Sequence, residues 1–436
     1  MATSTEPTAT KTPIARVVGA SLIGTTVEWY DFFLYGVAAS VVFGDLFFPK
    51  GEQLTGTLLS FATFAVGFFA RPVGGVVFGH FGDRLGRKNL LVLSLVMMGL
   101  ATFAIGLLPT YAQVGALAPI LLTVLRLVQG FALGGEWGGA VLIVSEHGSP
   151  ERRGFWSSWP QAGAPAGQLL ANGVLAGLAA FQSDAAFDKW GWRIPFLLSA
   201  VLVLVGLWVR LRIEESPLFK DARAKQEQEP AGKLPFVEVI TKYPREVLTA
   251  MGARMAENVS YYIFTIVIAT YAKEHLKLDK SFALNAVLIA AAVHFCAIPL
   301  WGALSDRIGR KPVYLFGAIG VGVWGSVFMA MVNTKSFGLA VLAVTIGLIL
   351  HGAMYGPQAS FFTELFGTRV RYSGVSVGYQ LASVIAGGLA PFIAVALLKA
   401  YDSGFAISAY VAVCSLISIV AVLSYGETRR RNLAEL

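Results

Sequence analysis

Only two cysteines occur in 436 residues, Cys296 and Cys414, and both lie inside apolar runs. That scarcity argues against a disulfide framework and a cysteine-based metal site. Charge is also scarce: Asp, Glu, Lys and Arg make up 14% of the chain, where soluble proteins carry about 25%. An ordinary soluble domain is thereby excluded. The polar, Thr-rich N-terminus lacks the apolar centre and small-residue cleavage site of a signal peptide and reads as a tail. No nucleophile–base pair or metal-ligand cluster occurs at workable spacing, so the sequence is not read as an enzyme and no metal or cofactor is expected.

What the chain has instead is apolar length. Hydrophobic residues form 56% of it. Runs of about 20 such residues can cross a bilayer as helices. Twelve are delimited by charged or turn-rich breaks, at residues 16–42, 54–80, 89–108, 114–141, 154–180, 193–212, 246–272, 282–304, 312–332, 337–361, 373–398 and 404–426. The longest hydrophilic connection divides them six and six. The expected organisation is a tail at 1–15, a half at 16–212, a central loop at 213–245, a second half at 246–426 and a tail at 427–436.

Basic residues set the expected orientation. If both termini are cytoplasmic, inner segments hold twenty-three of the 34 lysines and arginines and outer segments eight. Such a bias follows the positive-inside rule. It accounts for the net charge of +8 without a nucleic-acid partner. The lipid bilayer is the expected partner, with both termini inside and the chain working as a monomer.

One pattern occurs twice. Gly79-His-Phe-Gly-Asp83-Arg84-Leu-Gly86-Arg87-Lys88 follows the second span, and Gly302-Ala-Leu-Ser-Asp306-Arg307-Ile-Gly309-Arg310-Lys311 follows the eighth, with six of ten positions identical. A fainter echo follows the fourth and tenth spans: Glu146 with Arg152 and Arg153, then Glu364 with Arg369 and Arg371. Here the chain resembles the major facilitator superfamily, whose signature is this loop. The motifs Glu28-Trp29-Tyr30-Asp31-Phe32, Phe69-Ala-Arg71-Pro72-Val-Gly74-Gly75, Gln129-Gly130-Phe131, Gly134-Gly135-Glu136-Trp137-Gly138-Gly139 and Gly191-Trp192-Arg193-Ile194-Pro195-Phe196 narrow the resemblance to the bacterial metabolite:proton symporter family. Residues 78–88 and 134–140 look most like its shikimate-carrying members. The resemblance implies an all-α polytopic membrane protein of the major facilitator fold, with twelve transmembrane helices in two six-helix halves. It further implies an inner-membrane symporter that imports a small organic acid with protons as the coupling ion. Relatives carry dicarboxylates, citrate or betaine, so 2-oxoglutarate, citrate and a proline-type zwitterion stay open, as does a transporter-derived nutrient sensor. Osmosensing members carry a long C-terminal coiled coil, whereas only residues 427–436 follow the last span here. An osmosensor is therefore not expected.

Charged side chains inside spans are costly and mark functional positions. Glu28 and Asp31 are three residues apart, on one helical face, where both cannot ionise cheaply. One of them suits proton carriage; the alternative is a locking pair with Arg71 or Arg126. Arg126 offers a planar fork to a substrate carboxylate, or an ion pair between helices. Glu136, on the same helix among glycines, either titrates or bonds a neighbouring helix end. Arg254, Glu257, Asn258 and Tyr261 form a polar stripe in the seventh span, which points to a cavity. Gln161, Tyr355, Gln358 and Tyr379, together with Asn172, His294 and Gln380, are further candidates for that cavity or for interhelical hydrogen bonds. His351 is of a type that titrates near physiological pH, but a packing histidine is the preferred reading. The loop residues Asp83, Arg84, Arg87, Glu146, Arg153, Asp306, Arg307, Arg310, Glu364 and Arg371 are assigned to an inward-side gate.

Overall fold

The computed structural model describes residues 14–49, 53–85, 87–134, 137–212, 235–367, 370–429 and 431. All regular structure among them is helical. The first half comprises α1 (Ile14–Ala38), α2 (Gln53–Leu85), α3 (Arg87–Leu107), α4 (Leu117–Leu133), α5 (Trp137–His147), α6 (Arg153–Phe181) and α7 (Arg193–Arg212). After the short α8 (Pro235–Lys242), the second half comprises α9 (Pro244–Tyr262), α10 (Lys280–Ile308), α11 (Arg310–Asn333), α12 (Phe337–Thr363), α13 (Arg371–Ala382), α14 (Leu389–Tyr401) and α15 (Gly404–Leu423). The pair α4 and α5 makes one span, and α13 joins α14 through a π-helical turn at Ser383–Gly388 to make another. The architecture is thus twelve spans in two six-helix halves.

Seven of these helices are long and apolar enough to cross a membrane by length and composition alone, among them Ser281–Ile308 and Gly404–Leu423. Val92–Leu107 and Leu117–Leu133 are apolar but shorter among the described residues, and two other helices carry polar groups for the interior. Helix α1 contains Glu28 and Asp31, and α9 carries the stripe at 254–261. Their polar groups sit inside the bundle, while apolar side chains such as Leu204, Leu300, Val323 and Val420 stay exposed on the outer surface. That inversion suits a lipid surround, which accepts apolar side chains but no unsatisfied polar group.

Family motifs acquire structural roles. Arg193 donates through Nη1 to the carbonyls of Gly106 and Leu108 at 2.8 and 2.7 Å, satisfying the end of α3. The Pro195 carbonyl accepts from the Tyr30 hydroxyl at 2.7 Å, tying α7 to α1. In the second loop motif, Lys311 Nζ bonds the Leu423 and Tyr425 carbonyls at 3.1 and 2.9 Å, capping α15. Gly309 turns the chain between α10 and α11 at φ 111°, a region that favours glycine.

Glu427 caps α11 from outside. Its carboxylate accepts the Arg310 and Lys311 backbone N–H groups at 2.9 and 3.0 Å, at a helix N-terminus where negative charge is favoured. Partial burial alone would raise its pKa, but backbone donors at Arg429, Arg310, Lys311 and Thr428 outweigh burial and hold it below the ordinary carboxylate value. A depressed folded value stabilises above the unfolded value of about 4.3, and that contribution is lost as pH falls through the folded value. Glu427→Gln is expected to lower stability by about 1 kcal/mol at neutral pH, the usual worth of a cap. Melting curves at pH 7 and pH 4 check this, since the variant's deficit should shrink at the lower pH.

Candidate functional site

Residues from α1, α2 and α4 build one wall of a buried centre. Asp31 is 1% exposed, and among the described residues Thr102 is the side chain that acts on its carboxylate, without a hydrogen bond of full geometry. The Arg126 guanidinium lies over the rings of Tyr35, Phe64 and Phe32 at 4.4, 4.8 and 5.2 Å. Among the described residues it bonds only Gln129, at 3.1 Å, and Gln129 in turn donates to Thr102 at 2.7 Å. Arg71 lies over Phe68 and Phe32 at 4.1 and 4.9 Å. Phe32 therefore touches both arginines. Arg126 makes no ion pair with a carboxylate among the described residues, whereas Glu28 acts electrostatically on Arg71.

The opposite wall comes from α9, α11, α12 and α13. Arg254 Nε stands 3.3 Å from Glu257, and both side chains are buried. Glu257 also accepts from Gln358 at 3.0 Å and meets His351 Nε2 at 3.4 Å. The same Gln358 amide reaches the Tyr314 hydroxyl at 3.2 Å. Asn258 Nδ2 and the Tyr355 hydroxyl are buried without partners. Arg71 is within electrostatic reach of Glu28, Tyr262, Tyr379 and Arg254, which joins the two walls.

Tyr379 closes the centre on the side of the repeated loops. Its ring stacks on Trp137 at 3.7 Å, and the Arg254 guanidinium lies 3.4 Å from its centre. Where α4 ends, the Gly134 carbonyl accepts from Gln380 at 3.0 Å across the halves. Gln161 accepts from Trp137 at 3.0 Å and donates to the Tyr355 carbonyl at 3.4 Å. Between Glu28, Arg71, Trp137 and Tyr379 a cavity of about 10 Å³ is left, room for about one water.

Beyond this floor lies a charged latch. Asp306 accepts the Gly154 and Phe155 backbone N–H groups at 2.8 Å each, so a carboxylate of one half sits on the N-terminus of α6 in the other. That approach requires the motif Gly302, because a side chain there would collide with the Gly154 carbonyl. Arg310 bridges Asp306 at 2.6 Å and Glu364 at 3.2 Å, and Arg153 reaches Glu364 at 3.2 Å from the first half. On the opposite side, Lys273 pairs with Asp45 at 3.1 Å and Lys399 bonds Thr55 at 2.7 Å. The halves thus meet at both ends of the centre.

The structure brings together Arg153, Asp306, Arg310 and Glu364 in one ion-pair network, and Arg71, Arg126, Arg254, Glu257 and Tyr379 around one buried centre. The Arg307 side chain is exposed, and the residue contributes its carbonyl to Arg429. Arg371 bonds the Thr363 and Phe366 carbonyls at 3.1 Å each. Glu136 and Arg369 lie outside the described residues, as do the side chains of Asp83, Arg84, Arg87 and Glu146. Sequence reasoning missed Trp137 as a latch and set His351 apart from the stripe it joins. No periodic signal links helices so distant in the chain.

A helical membrane protein whose two six-helix halves enclose buried arginines and carboxylates is a transporter of the major facilitator fold, not an enzyme. Residues 17–436 match the profile of the sugar (and other) transporter family, and the chain belongs to that family. It is 41% identical over 420 residues to the shikimate transporter of Escherichia coli K12, covering 95% of each chain. The inner membrane metabolite transport protein YhjE of the same organism is 40% identical, with 96% of this chain and 95% of the relative covered. The proline/betaine transporter of E. coli K12 is 33% identical, covering 96% and 85%. In fold it is similar to the proton:xylose symporter XylE bound to 6-bromo-6-deoxy-D-glucose, with a TM-score of 0.75 at 18% identity and 97% and 98% coverage.

Proposed function

We propose that the chain is a proton-coupled symporter importing a small organic acid, with a shikimate-like hydroxy-carboxylate as the leading substrate. The carrying observation is that Arg126 is buried on aromatic rings with no carboxylate within ion-pair distance among the described residues, with Arg71 beside it. A buried cation without a counter-ion is costly, and a substrate carboxylate supplies one with a matching fork. Hydroxyl groups of the substrate find donors at Asn258 and Tyr355. The 41% identical shikimate transporter supports this choice over a dicarboxylate or a betaine.

Asp31 carries the proton in this reading. An ionised carboxylate without partners costs several kcal/mol in a dry interior, and protonation removes that cost. The loops at Gly302 and Glu364 then face the cytoplasm of a bacterial inner membrane, with both termini on the same side. The bodies that rock are residues 16–212 and 246–426, and the monomer suffices. Transport alternates as the latch at Asp306 and the contact at Lys273 open in turn.

Uptake of labelled shikimate, 2-oxoglutarate, betaine and xylose into proteoliposomes, with and without an inward pH gradient, tests the reading. Gradient-driven uptake of a carboxylate is expected. Uptake of xylose alone, or uptake indifferent to the gradient, would defeat it. Arg126→Lys is expected to weaken the substrate by about tenfold or more, because lysine offers a point charge without the planar fork. The KM for uptake measures this.

A further inference from the structure

Three buried groups of the second half form a chain that the transport reading above does not use. His351 Nδ1 lies 3.0 Å from His294 Nε2, and His351 Nε2 lies 3.4 Å from Glu257 Oε1. Both histidines are buried, and they come from α12 and α10, while Glu257 comes from α9. The hydrogen-bond network sets their tautomers. Facing the ionised Glu257, His351 Nε2 carries the hydrogen and its Nδ1 is bare. His294 Nε2 must then donate to that bare nitrogen. His294 Nδ1 is left bare, buried and without a partner. A purely packing pair has no need of an unpaired nitrogen at its end, whereas a proton relay has one at its entry.

We propose that His294, His351 and Glu257 form a second proton-binding site, in which a proton taken up at His294 Nδ1 is delivered to Glu257 when substrate draws Arg254 away. The proposal rests on the symport reading for its use in transport, but not for its chemistry. A proton from water binds His294 Nδ1. The proton on His294 Nε2 passes to His351 Nδ1, and that on His351 Nε2 passes to Glu257 Oε1. One proton has entered, Glu257 is a neutral acid, and both rings have exchanged tautomers. Release reverses the steps.

The surroundings favour such a switch. Among the described residues, the charged groups facing the relay are Arg254 and Glu257, both from α9. Tyr261 of the same helix stacks on His351 at 4.6 Å and donates to Gln168 of α6 at 2.9 Å. Tyr355 of α12 packs on His351 at 5.2 Å. Gln358 of α12 joins Glu257 to Tyr314 of α11, and Tyr379 of α13 lies against Arg254. Among the described residues, Arg254 is the Lys or Arg side chain paired with Glu257, at 3.3 Å, and its Nη1 makes no hydrogen bond there. A substrate carboxylate that takes the Arg254 fork weakens this hold, and the neutral acid becomes the favoured form of Glu257.

The test uses the full chain in lipid nanodiscs with 15N-labelled histidine and shikimate present, titrated between pH 8 and 5 by solid-state NMR. The two rings are expected to share one coupled transition, and Glu257→Gln is expected to shift it. Rings whose resonances stay fixed throughout the range in the wild-type chain would overturn the proposal. In proteoliposomes with shikimate as the probe, His351→Gln and His294→Gln are each expected to move one proton fewer per substrate, measured from the reversal potential. An unchanged proton count would remove the relay from the transport cycle and also overturns the proposal. Rings that titrate together while uptake ignores the pH gradient would instead overturn symport and leave the proton site standing.

Discussion

Asp31→Asn is expected to give a protein that exchanges substrate across the membrane but accumulates it about tenfold less per unit of pH gradient. Asparagine keeps the volume of the carboxylic acid and its neutral charge, so the buried centre stays packed. It cannot give up a proton, so the cycle is fixed in the protonated form. Each coupled proton lets a gradient of one pH unit drive about tenfold accumulation. The ratio should fall by about tenfold in the variant, while counterflow of labelled against unlabelled substrate continues. Thermal stability should not drop, since Asp31 makes no hydrogen bond that asparagine would lose. Accumulation at the wild-type ratio would show that the proton travels elsewhere. Loss of counterflow together with a lower melting temperature would make Asp31 a packing residue.

Glu364→Gln is expected to open the loop side. Glu364 is fully buried and accepts from Arg153, Arg310 and Thr428, the last at 2.7 Å. Removing one member of a buried ion network strands its partners and costs about 3–5 kcal/mol. Arg153 belongs to one half and Arg310 to the other, so much of that cost falls on the closed arrangement. A change of about 5.5 kcal/mol carries a two-state equilibrium from 1:99 to 99:1. The variant should therefore spend most of its time with the latch open. Spin labels at positions 151 and 307, exposed and on opposite halves, report the separation. A distance distribution identical to that of the wild-type chain would mean that Glu364 orders only its own half.

The readability of the site from sequence varied with distance along the chain. The stripe at 254–261 was legible because helical periodicity places Arg254, Glu257 and Tyr261 on one face. The repeated loops were legible because Gly, Asp, Arg and Lys recur at fixed spacing. Their partners were not. Asp306 next to three basic residues suggests a charge network, yet two of its bonds go to backbone N–H groups of α6. The loop pattern says nothing of a helix end in the other half. His351 looked like a packing residue because its two contacts lie on α9 and α10, at no regular interval from it. Arg307 looked equivalent to Arg310, but a helix turns its neighbours to different faces, and only Arg310 points inward.

The amino-acid sequence alone determined the membrane-spanning class, the division into two six-helix halves and the residue types available to the interior. Those properties follow from apolar length and from the cost of charge in lipid, which act on each segment independently. The tertiary structure decided which charges are paired. It left Asp31 unpartnered, set Arg71 and Arg126 on either flank of Phe32, and joined His294 to Glu257 through His351. These outcomes depend on how helices rotate and approach one another, and close approaches such as Gly154 against Gly302 fix that geometry. A span records that a charge must be accommodated; only the packed bundle shows by what.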